Sequence, residues 1–209
     1  MNKVILVGGF HEIIELCEEQ NLKIIGIIDN IKEITYFGYP IIGTDEDADI
    51  LYKKYKDIPL IISPDNPNIR EKLVSLYENI GFRFYTLIGK RAIVSKTASI
   101  DIGCVIQNGV NISSYTKIGK FVKINTNANI MHDVNLGDFT TVAPNSVLLG
   151  HLNIKNNVYI GASSTILPQI NLDAHSVVGA GAVVTKDVSR GTTVVGCPAK
   201  PLIKTKSNV

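Results

Sequence analysis

Aliphatic side chains recur at every sixth residue through a long stretch of the chain. The sixteen positions with this spacing are all Ile, Leu or Val: Val94, Ile100, Ile106, Ile112, Ile118, Ile124, Ile130, Leu136, Val142, Leu148, Ile154, Ile160, Ile166, Leu172, Val178 and Val184. A period of six places successive side chains on different faces of an α-helix, whereas in extended chain residues two apart share a face. One strand of that length is excluded, because strands average about five or six residues. The spacing therefore predicts a β-solenoid over about residues 92–188 that turns after each hexad.

Glycines predict where this solenoid turns and how many hexads make one coil. Gly119, Gly137, Gly161 and Gly179 each directly follow a repeat aliphatic, where we expect a turn that needs permissive backbone. Gly119 and Gly137 lie eighteen residues apart, and so do Gly161 and Gly179. We therefore expect three hexads per coil, a triangular cross-section, and coils about 4.8 Å apart.

The first ninety residues show a different pattern, in which apolar strands alternate with helices. We predict strands at Val4–Val7, Ile24–Ile28 and Pro59–Ile62, helices at His11–Gln20 and Asn68–Asn79, and a bridging strand at Phe84–Leu87. Such alternation predicts a small parallel α/β sheet. The first strand leads through Gly8-Gly9 into a helix and the second ends at Asp29, which resembles the nucleotide-binding half of a Rossmann fold, although the third glycine of its motif is missing.

Composition and charge narrow the class of protein. The net charge is +2 among 209 residues and no basic block occurs, so we expect no nucleic-acid partner. The three cysteines cannot all pair, which predicts a reducing compartment. The opening apolar run Val4–Val7 is too short for a signal-peptide core or a membrane span. We therefore expect a cytoplasmic protein without membrane insertion.

Four motifs, together with the hexads, carry a resemblance to a known family. They are the glycine–histidine segment ending at His11, Ile-Ile-Asp ending at Asp29, His132-Asp133 within Ile-Met-His-Asp-Val-Asn-Leu-Gly-Asp-Phe, and Val-Val-Gly-Cys-Pro-Ala-Lys ending at Lys200. The chain resembles bacterial hexapeptide-repeat acyltransferases of the sialic acid O-acetyltransferase-type subfamily. This group includes N-acetyltransferases of nucleotide-linked 4-amino-4,6-dideoxyhexoses. The resemblance alone implies a left-handed parallel β-helix, since the usual crossover rule favours the opposite hand.

The resemblance also implies an activity and an assembly. It implies that an acetyl group moves from acetyl-CoA to the 4-amino group of a UDP- or dTDP-linked 4-amino-4,6-dideoxyhexose, for surface glycans such as the lipopolysaccharide O-antigen. It further implies a homotrimer, with acetyl-CoA between neighbouring solenoids and active sites between subunits. We expect a Rossmann-like nucleotide-sugar-binding domain at residues 1–88, and a β-helix acetyltransferase domain with a C-terminal tail at residues 89–209.

Three alternatives stay open at the level of the sequence. One is O-acetylation of a sialic acid or another sugar hydroxyl, and another is a non-catalytic binding or scaffold protein. The third is a β-helix metalloprotein of the γ-carbonic anhydrase type, which needs three converging histidines. The chain has four histidines, and we expect no pair in the solenoid at close ligand spacing, so no metal is expected.

His132 is the candidate catalytic base, with Asp133 as its partner. Forming an amide from a thioester requires a base, and imidazole titrates near neutral pH. The resemblance implies that Asp133 orients the imidazole and that the backbone N–H of Gly150 holds the thioester carbonyl. Gly150 follows His132 by eighteen residues, so the two should stack one coil apart. Thr141 takes the place of a second histidine found in bacillosamine-pathway enzymes and could bond the acyl carbonyl; His151 is the adjacent candidate for that role.

The remaining site residues are implied by the resemblance. Ala162 and Ala180 match positions where backbone amides meet the pantetheine arm of CoA. The nucleotide side is matched by Gly9, Phe10 and His11 near the phosphates, and by Asp29 and Asn30 at the base or ribose. Asn30 replaces the commoner second Asp, so base recognition is expected to differ.

Overall fold

The computed structural model describes residues 2–31 and 33–202, and the end of the expected C-terminal tail lies outside them. The chain begins with a five-stranded sheet and three helices. The strands are β1 Lys3–Val7, β2 Lys23–Ile28, β3 Thr35–Tyr36, β4 Tyr39–Gly43 and β5 Leu60–Ile62, and the helices are α1 His11–Glu19, α2 Ala48–Tyr55 and α3 Pro67–Ile80, with a 3₁₀ turn at Asp45–Asp47. The strand order is β3-β4-β2-β1-β5, with only the β3–β4 pair antiparallel.

The predicted α/β pattern is confirmed, with small shifts at the ends of the elements. Helix α3 is the clearest case: the Asn66 side chain accepts hydrogen bonds from two backbone N–H groups of the first turn, Pro67 follows it, and left-handed Gly81 ends the helix. The β3–β4 hairpin and α2 were not predicted. The hairpin strands are short, and α2 buries only Ala48 and Leu51, so neither gives a strong apolar period.

A parallel β-helix of stacked short strands follows. Its strands are β6 Leu87–Ile88, β7 Ile93–Val94, β8 Ser99–Ile100, β9 Val105–Ile106, β10 Asn111–Ile112, β11 Lys117–Ile118, β12 Lys123–Ile124, β13 Asn129–Ile130, β14 Asn135–Leu136, β15 Thr141–Val142, β16 Val147–Leu148, β17 Asn153–Ile154, β18 Tyr159–Ile160, β19 Thr165–Ile166, β20 Asn171–Leu172, β21 Val177–Val178, β22 Val183–Val184, β23 Thr193–Val195 and β24 Lys200–Pro201. The expected bridging strand is split, because Phe84 pairs singly with Leu60 and Leu87 opens β6.

From β6 to β19, each strand pairs with the strand eighteen residues later, as Ile112 does with Ile130 and Ile130 with Leu148. Three faces result: face 1 is β7-β10-β13-β16-β19-β22, face 2 is β8-β11-β14-β17-β20, and face 3 is β6-β9-β12-β15-β18-β21-β23-β24. Most of the repeat aliphatics form one buried core inside the triangle. The predicted solenoid with three hexads per coil is confirmed.

The predicted role of the four corner glycines is wrong. The left-handed backbone falls on the third residue after each aliphatic, at every sixth residue from Gly103 to Gly181, and most of these residues are not glycine. Gly137 is needed for a different reason: a Cβ there would lie 2.6 Å from the Lys155 carbonyl carbon of the next coil. Close stacking of coils, and not a turn with positive φ, therefore selects this glycine.

Arg70 fastens the α/β region to face 3. Its buried guanidinium donates to the carbonyl oxygens of Phe121, Phe139 and Thr140 on the solenoid, to the Thr141 hydroxyl, and to carbonyls of its own preceding loop. Desolvation lowers the pKa of Arg70 to about 10, so the group stays charged at neutral pH. Two apolar clusters of the α/β region also reach the solenoid, through Val105 and Phe121.

None of the described helices has the length and apolar character needed to cross a lipid bilayer.

Candidate active site

His132 projects from the corner between faces 1 and 2. It is the second residue after β13, and Asp133 follows with a left-handed φ of 58°. His132 Nδ1 lies 2.9 Å from Asp133 Oδ2, and the two side chains are about half exposed. With Nδ1–H donating to the carboxylate, the neutral imidazole presents its Nε2 lone pair as a base.

Gly150 lies under the His132 ring, one coil later. A Cβ at Gly150 would lie 2.6 Å from Cε1 and 2.9 Å from Nε2 of His132, so only glycine lets the ring lie there. The predicted stacking of these two residues is confirmed. Among the described residues the Gly150 N–H has no protein acceptor, whereas the neighbouring His151 N–H donates to the His132 carbonyl. A base and a free N–H therefore meet at one corner, an arrangement suited to acyl transfer.

His151 belongs to the same cluster. Its Nδ1 lies 3.9 Å from Asp133 Oδ2, and its ring meets the His132 ring edge-on with centroids 5.1 Å apart. The expectation that no two solenoid histidines lie at ligand spacing is therefore wrong. A separation of nineteen residues is one coil plus one position, so the spacing that paired Gly150 with His132 could have found His151 too.

Thr141 does not face this corner, and the predicted contact of its hydroxyl with the acyl group is wrong for this chain. Thr141 lies on face 3, fully buried beneath the α/β region. Its hydroxyl donates to the Asp65 carbonyl at 2.6 Å and accepts from Arg70 at 2.9 Å. Packing of the α/β region on face 3 hides the side chain, so we assign Thr141 to the interface.

Ala162 and Ala180 lie on the corner between faces 3 and 1. They occupy neighbouring coils, and the Gly181 N–H donates to the Ala162 carbonyl at 2.8 Å. Their corner differs from that of Gly150, so one chain does not place all three along a single groove. Their contact with CoA stays a prediction that requires a second copy.

The five nucleotide-side residues gather at the carboxyl ends of β1 and β2. The Gly9 N–H donates to Asp29 Oδ2 at 2.6 Å, and Asp29 Oδ1 accepts from the Ile31 N–H at 3.2 Å. This carboxylate therefore shapes the loop of residues 8–10 between β1 and α1, here called the glycine loop. His11 begins α1 and stacks on Phe37 of the β3–β4 turn, with ring centroids 5.3 Å apart. Asn30 is exposed beside Asp29. Their contacts with a nucleotide stay predictions.

Sequence reasoning missed Lys123, which lies on face 3 beside the glycine loop. Its side chain is only 1% exposed, and Nζ donates to the Ser63 carbonyl at 2.6 Å and pairs with Asp65 at 3.0 Å. Nζ also lies 5.0 Å from the centre of the Phe10 ring. Desolvation lowers the pKa of Lys123, and Asp65 partly offsets this. A lysine at an outward strand position gives no such signal in the sequence.

The two groups of site residues lie on opposite sides of the solenoid. The α/β region packs on face 3, through Lys123 and Thr141, and His132 lies at the corner opposite that face. One chain therefore does not bring its own glycine loop to its own His132.

Comparison with known proteins shows which fold the chain shares. Residues 115–150 match the family model of the bacterial transferase hexapeptide (six repeats). A mutant of perosamine N-acetyltransferase from Caulobacter crescentus, in complex with CoA and GDP-perosamine, superposes with a TM-score of 0.92 at 25% identity over 98% of both chains. The predicted resemblance to hexapeptide-repeat acyltransferases is confirmed. The β-helix is left-handed, as this resemblance implied.

Further solved structures are similar over nearly the whole chain. The acetyltransferase domain of PglB from Neisseria gonorrhoeae, in complex with acetyl coenzyme A, has a TM-score of 0.89 at 27% identity over 97% of this chain and 100% of its own. WeeI from Acinetobacter baumannii has a TM-score of 0.72 at 26% identity over 96% and 100%. No curated protein gives a significant match.

Proposed function

We propose that the chain is an acetyl-CoA-dependent N-acetyltransferase that acylates the 4-amino group of a nucleotide-linked 4-amino-4,6-dideoxyhexose. The observation that carries this proposal is the His132 ring, held by Asp133 and lying over the free N–H of Gly150. Similar structures that contain CoA with GDP-perosamine, or acetyl coenzyme A, support the same pair of substrates.

The residues of the corner account for each proton and bond of the reaction. The sugar amine attacks the thioester carbonyl and forms the C–N bond while His132 Nε2 takes the amine proton. Asp133 stabilises the imidazolium, and the Gly150 N–H donates to the oxyanion. Collapse of the tetrahedral intermediate breaks the C–S bond, and the departing CoA thiolate takes the proton from His132. The products are an N-acetyl sugar and free CoA.

The α/β region is the proposed nucleotide-sugar-binding domain, Rossmann-like and spanning residues 1–88, with residues 89–209 as the acetyltransferase domain. Support comes from the glycine loop at the carboxyl ends of neighbouring parallel strands β1 and β2, where α/β sheets bind ligands. Gly9, Phe10 and His11 would approach the diphosphate, with Asp29 and Asn30 beyond them. The proposed nucleotide is UDP, dTDP or GDP. GDP is supported by the similar structure in complex with GDP-perosamine.

The active site is proposed to form between subunits of a homotrimer. Because His132 lies opposite the face that carries the glycine loop, a nucleotide sugar bound by one chain must meet the His132 of another. Ala162 and Ala180 on a neighbouring copy would then complete the CoA groove with Gly150. We further propose a cytoplasmic location, supported by three unpaired cysteines, and a role in surface glycan synthesis such as the O-antigen of lipopolysaccharide.

The decisive experiment incubates the protein with acetyl-CoA and a panel of UDP-, dTDP- and GDP-linked 4-amino-4,6-dideoxyhexoses, with product mass as the readout. Wild-type protein is expected to acetylate at least one amino sugar. His132→Ala should lose about 10²–10⁴-fold of the rate, as expected for removal of a general base. His175→Asn, which removes another corner histidine and tolerates the positive φ there, is the control and should leave the rate unchanged.

Two results would change the proposal. No turnover of any amino sugar would refute N-acetylation and favour the O-acetylation alternative. Full activity in His132→Ala would leave the enzyme class standing and refute the assigned base.

A further inference from the structure

The cluster at the His132 corner contains more metal-ligating groups than acyl transfer requires. His132, Asp133 and His151 each offer one ligand atom, and these three atoms lie within 4.8 Å of one another. Two imidazoles and a carboxylate are a ligand set that suits Zn²⁺. The proton path proposed for acyl transfer uses only His132 and Asp133, so His151 has no part in it.

The distances fit a single ion after small side-chain rotations. Ligand atoms around tetrahedral Zn²⁺ lie about 3.3 Å apart, given metal–ligand bonds of about 2.0–2.1 Å. Asp133 Oδ2 lies 2.9 Å from His132 Nδ1 and 3.9 Å from His151 Nδ1, which bracket that value. The three side chains are 41–57% exposed, so an ion from solvent can reach them.

Backbone geometry holds the trio in place. Asp133 and His151 occupy the left-handed position of their corners, with φ of 58° and 60°. The His151 N–H donates to the His132 carbonyl at 3.1 Å, which locks the two coils in register. The ligand atoms therefore sit on a stacked scaffold and not on a loop.

We propose that His132, Asp133 and His151 bind one Zn²⁺-class ion, and that this ion reversibly inhibits acyl transfer. The reason is the tautomer of His132. In the active form Nδ1 carries the proton and Nε2 the basic lone pair. When Nδ1 gives its lone pair to the metal, a neutral imidazole carries its proton on Nε2, so the base is lost. Asp133 turns from accepting the Nδ1–H to binding the ion.

Inhibition rests on the proposed function, whereas metal binding does not. The first arm therefore uses the protein without substrates. Every protein carries Cys197→Ser, so that the exposed thiol does not bind metal. Calorimetric titration with ZnCl₂ is expected to give one ion per chain, MgCl₂ should give no binding, and Co²⁺ should give a visible d–d spectrum.

Variants at equivalent corner positions isolate the site. His151→Asn keeps a residue that tolerates positive φ and removes one ligand, so Zn²⁺ affinity should fall at least about tenfold. His175→Asn is the matched control, because His175 has the same place in its hexad with φ of 58° but lies on another corner. Its affinity should equal that of the parent protein. Equal affinity in His151→Asn and the parent, or no Zn²⁺ binding at all, would overturn the metal site.

The second arm measures N-acetyl product by mass, because Zn²⁺ would bind the released CoA thiol in a thiol assay. Zn²⁺ should inhibit the parent and His175→Asn, and a chelator should restore their rates. In His151→Asn, inhibition measured relative to that variant's own metal-free rate should require at least about tenfold more Zn²⁺. Binding without inhibition would refute the tautomer argument. If no protein acetylates any sugar, the proposed function fails while the binding arm still decides the metal site.

Discussion

At the scale of single residues, position within the hexad decides what a side chain can do. The second corner residue projects outward, as His132 does, and the third has left-handed backbone, as in Asp133 and His151. The fourth points into the core, where Val134 and Leu152 are fully buried. Each corner therefore offers two adjacent outward positions, its second and third residues. Two stacked coils place four such positions side by side. Stacking therefore places the Asp133 carboxylate, the Gly150 N–H and the His151 imidazole beside His132.

Asp133 is expected to matter through the tautomer of His132. Asp133→Asn fits the left-handed backbone but removes the charge that favours Nδ1–H, so kcat should fall about 10–100-fold with KM for acetyl-CoA little changed. Steady-state kinetics with the preferred amino sugar measure this. Asp138→Asn, on another corner of the same coil, should keep wild-type kcat. A wild-type kcat in Asp133→Asn would show that the carboxylate does not orient the base.

Arg70 is expected to be a large single contribution to stability. Arg70→Met removes the donor to the Phe121 and Phe139 carbonyls at a buried interface, so the free energy of unfolding should fall by about 3–5 kcal/mol. Urea denaturation measures the loss. Arg70→Lys keeps the charge but makes fewer hydrogen bonds, so its free energy of unfolding should lie between those of the wild type and Arg70→Met. A loss below about 1 kcal/mol in Arg70→Met would mean that water replaces these contacts.

At the scale of elements, a strand of two residues has no stability of its own. Each strand of the solenoid gains its hydrogen bonds from the coils above and below, and its core contact from one aliphatic side chain. The distance between coils therefore limits the size of the side chain at each position that faces the next coil. The glycines that follow certain aliphatics meet this constraint where the next coil approaches most closely.

A methyl group at such a glycine should disturb stacking. Gly137→Ala places its Cβ against the backbone at Lys155 and Asn156, so the free energy of unfolding should fall by about 1–3 kcal/mol. Asn145→Gly, at a left-handed corner position, is the control and should change stability by less than about 1 kcal/mol. Urea denaturation of both variants tests the distinction. A larger loss of stability in Asn145→Gly than in Gly137→Ala would show that turn conformation, and not coil stacking, selects these glycines.

At the scale of the whole molecule, the fold separates two groups of candidate site residues, here called half-sites. One is the glycine loop with Asp29, and the other is the corner that carries His132. Face 3 carries the α/β region, and His132 lies at the opposite corner. The proposed active site therefore needs two copies of the chain. This arrangement predicts that inactive variants of different half-sites complement each other in mixed oligomers.

Complementation can be measured with His132→Ala and Gly9→Glu. Gly9 has no left-handed φ, and the new carboxylate would repel the diphosphate at the glycine loop. Each variant alone should be inactive, whereas a refolded 1:1 mixture should recover about a quarter of the wild-type activity per chain, since half the bases meet half the intact loops. Sedimentation of the same samples reports the oligomeric state. No recovery in mixed trimers would place the whole site within one chain.

The sequence alone determined the solenoid, its three hexads per coil and the pairing of His132 with Gly150. The reason is that each coil of the solenoid stacks on its neighbours, so strand pairing recurs at a separation of eighteen residues. The α/β elements with strong apolar periods, such as β1, β2 and α3, were determined in the same local way.

Tertiary structure alone decided the features that depend on where the α/β region packs. Burial of Thr141, the contacts of Arg70 with solenoid carbonyls and the pairing of Lys123 with Asp65 join residues 51–76 positions apart, with no period to reveal them. The left-handed corner position was also hidden, because stacked backbone imposes it on Asn, Asp, His and Phe alike. Packing of the coils outweighs the preference of these residues for negative φ. Their identity in the sequence therefore does not reveal the left-handed backbone.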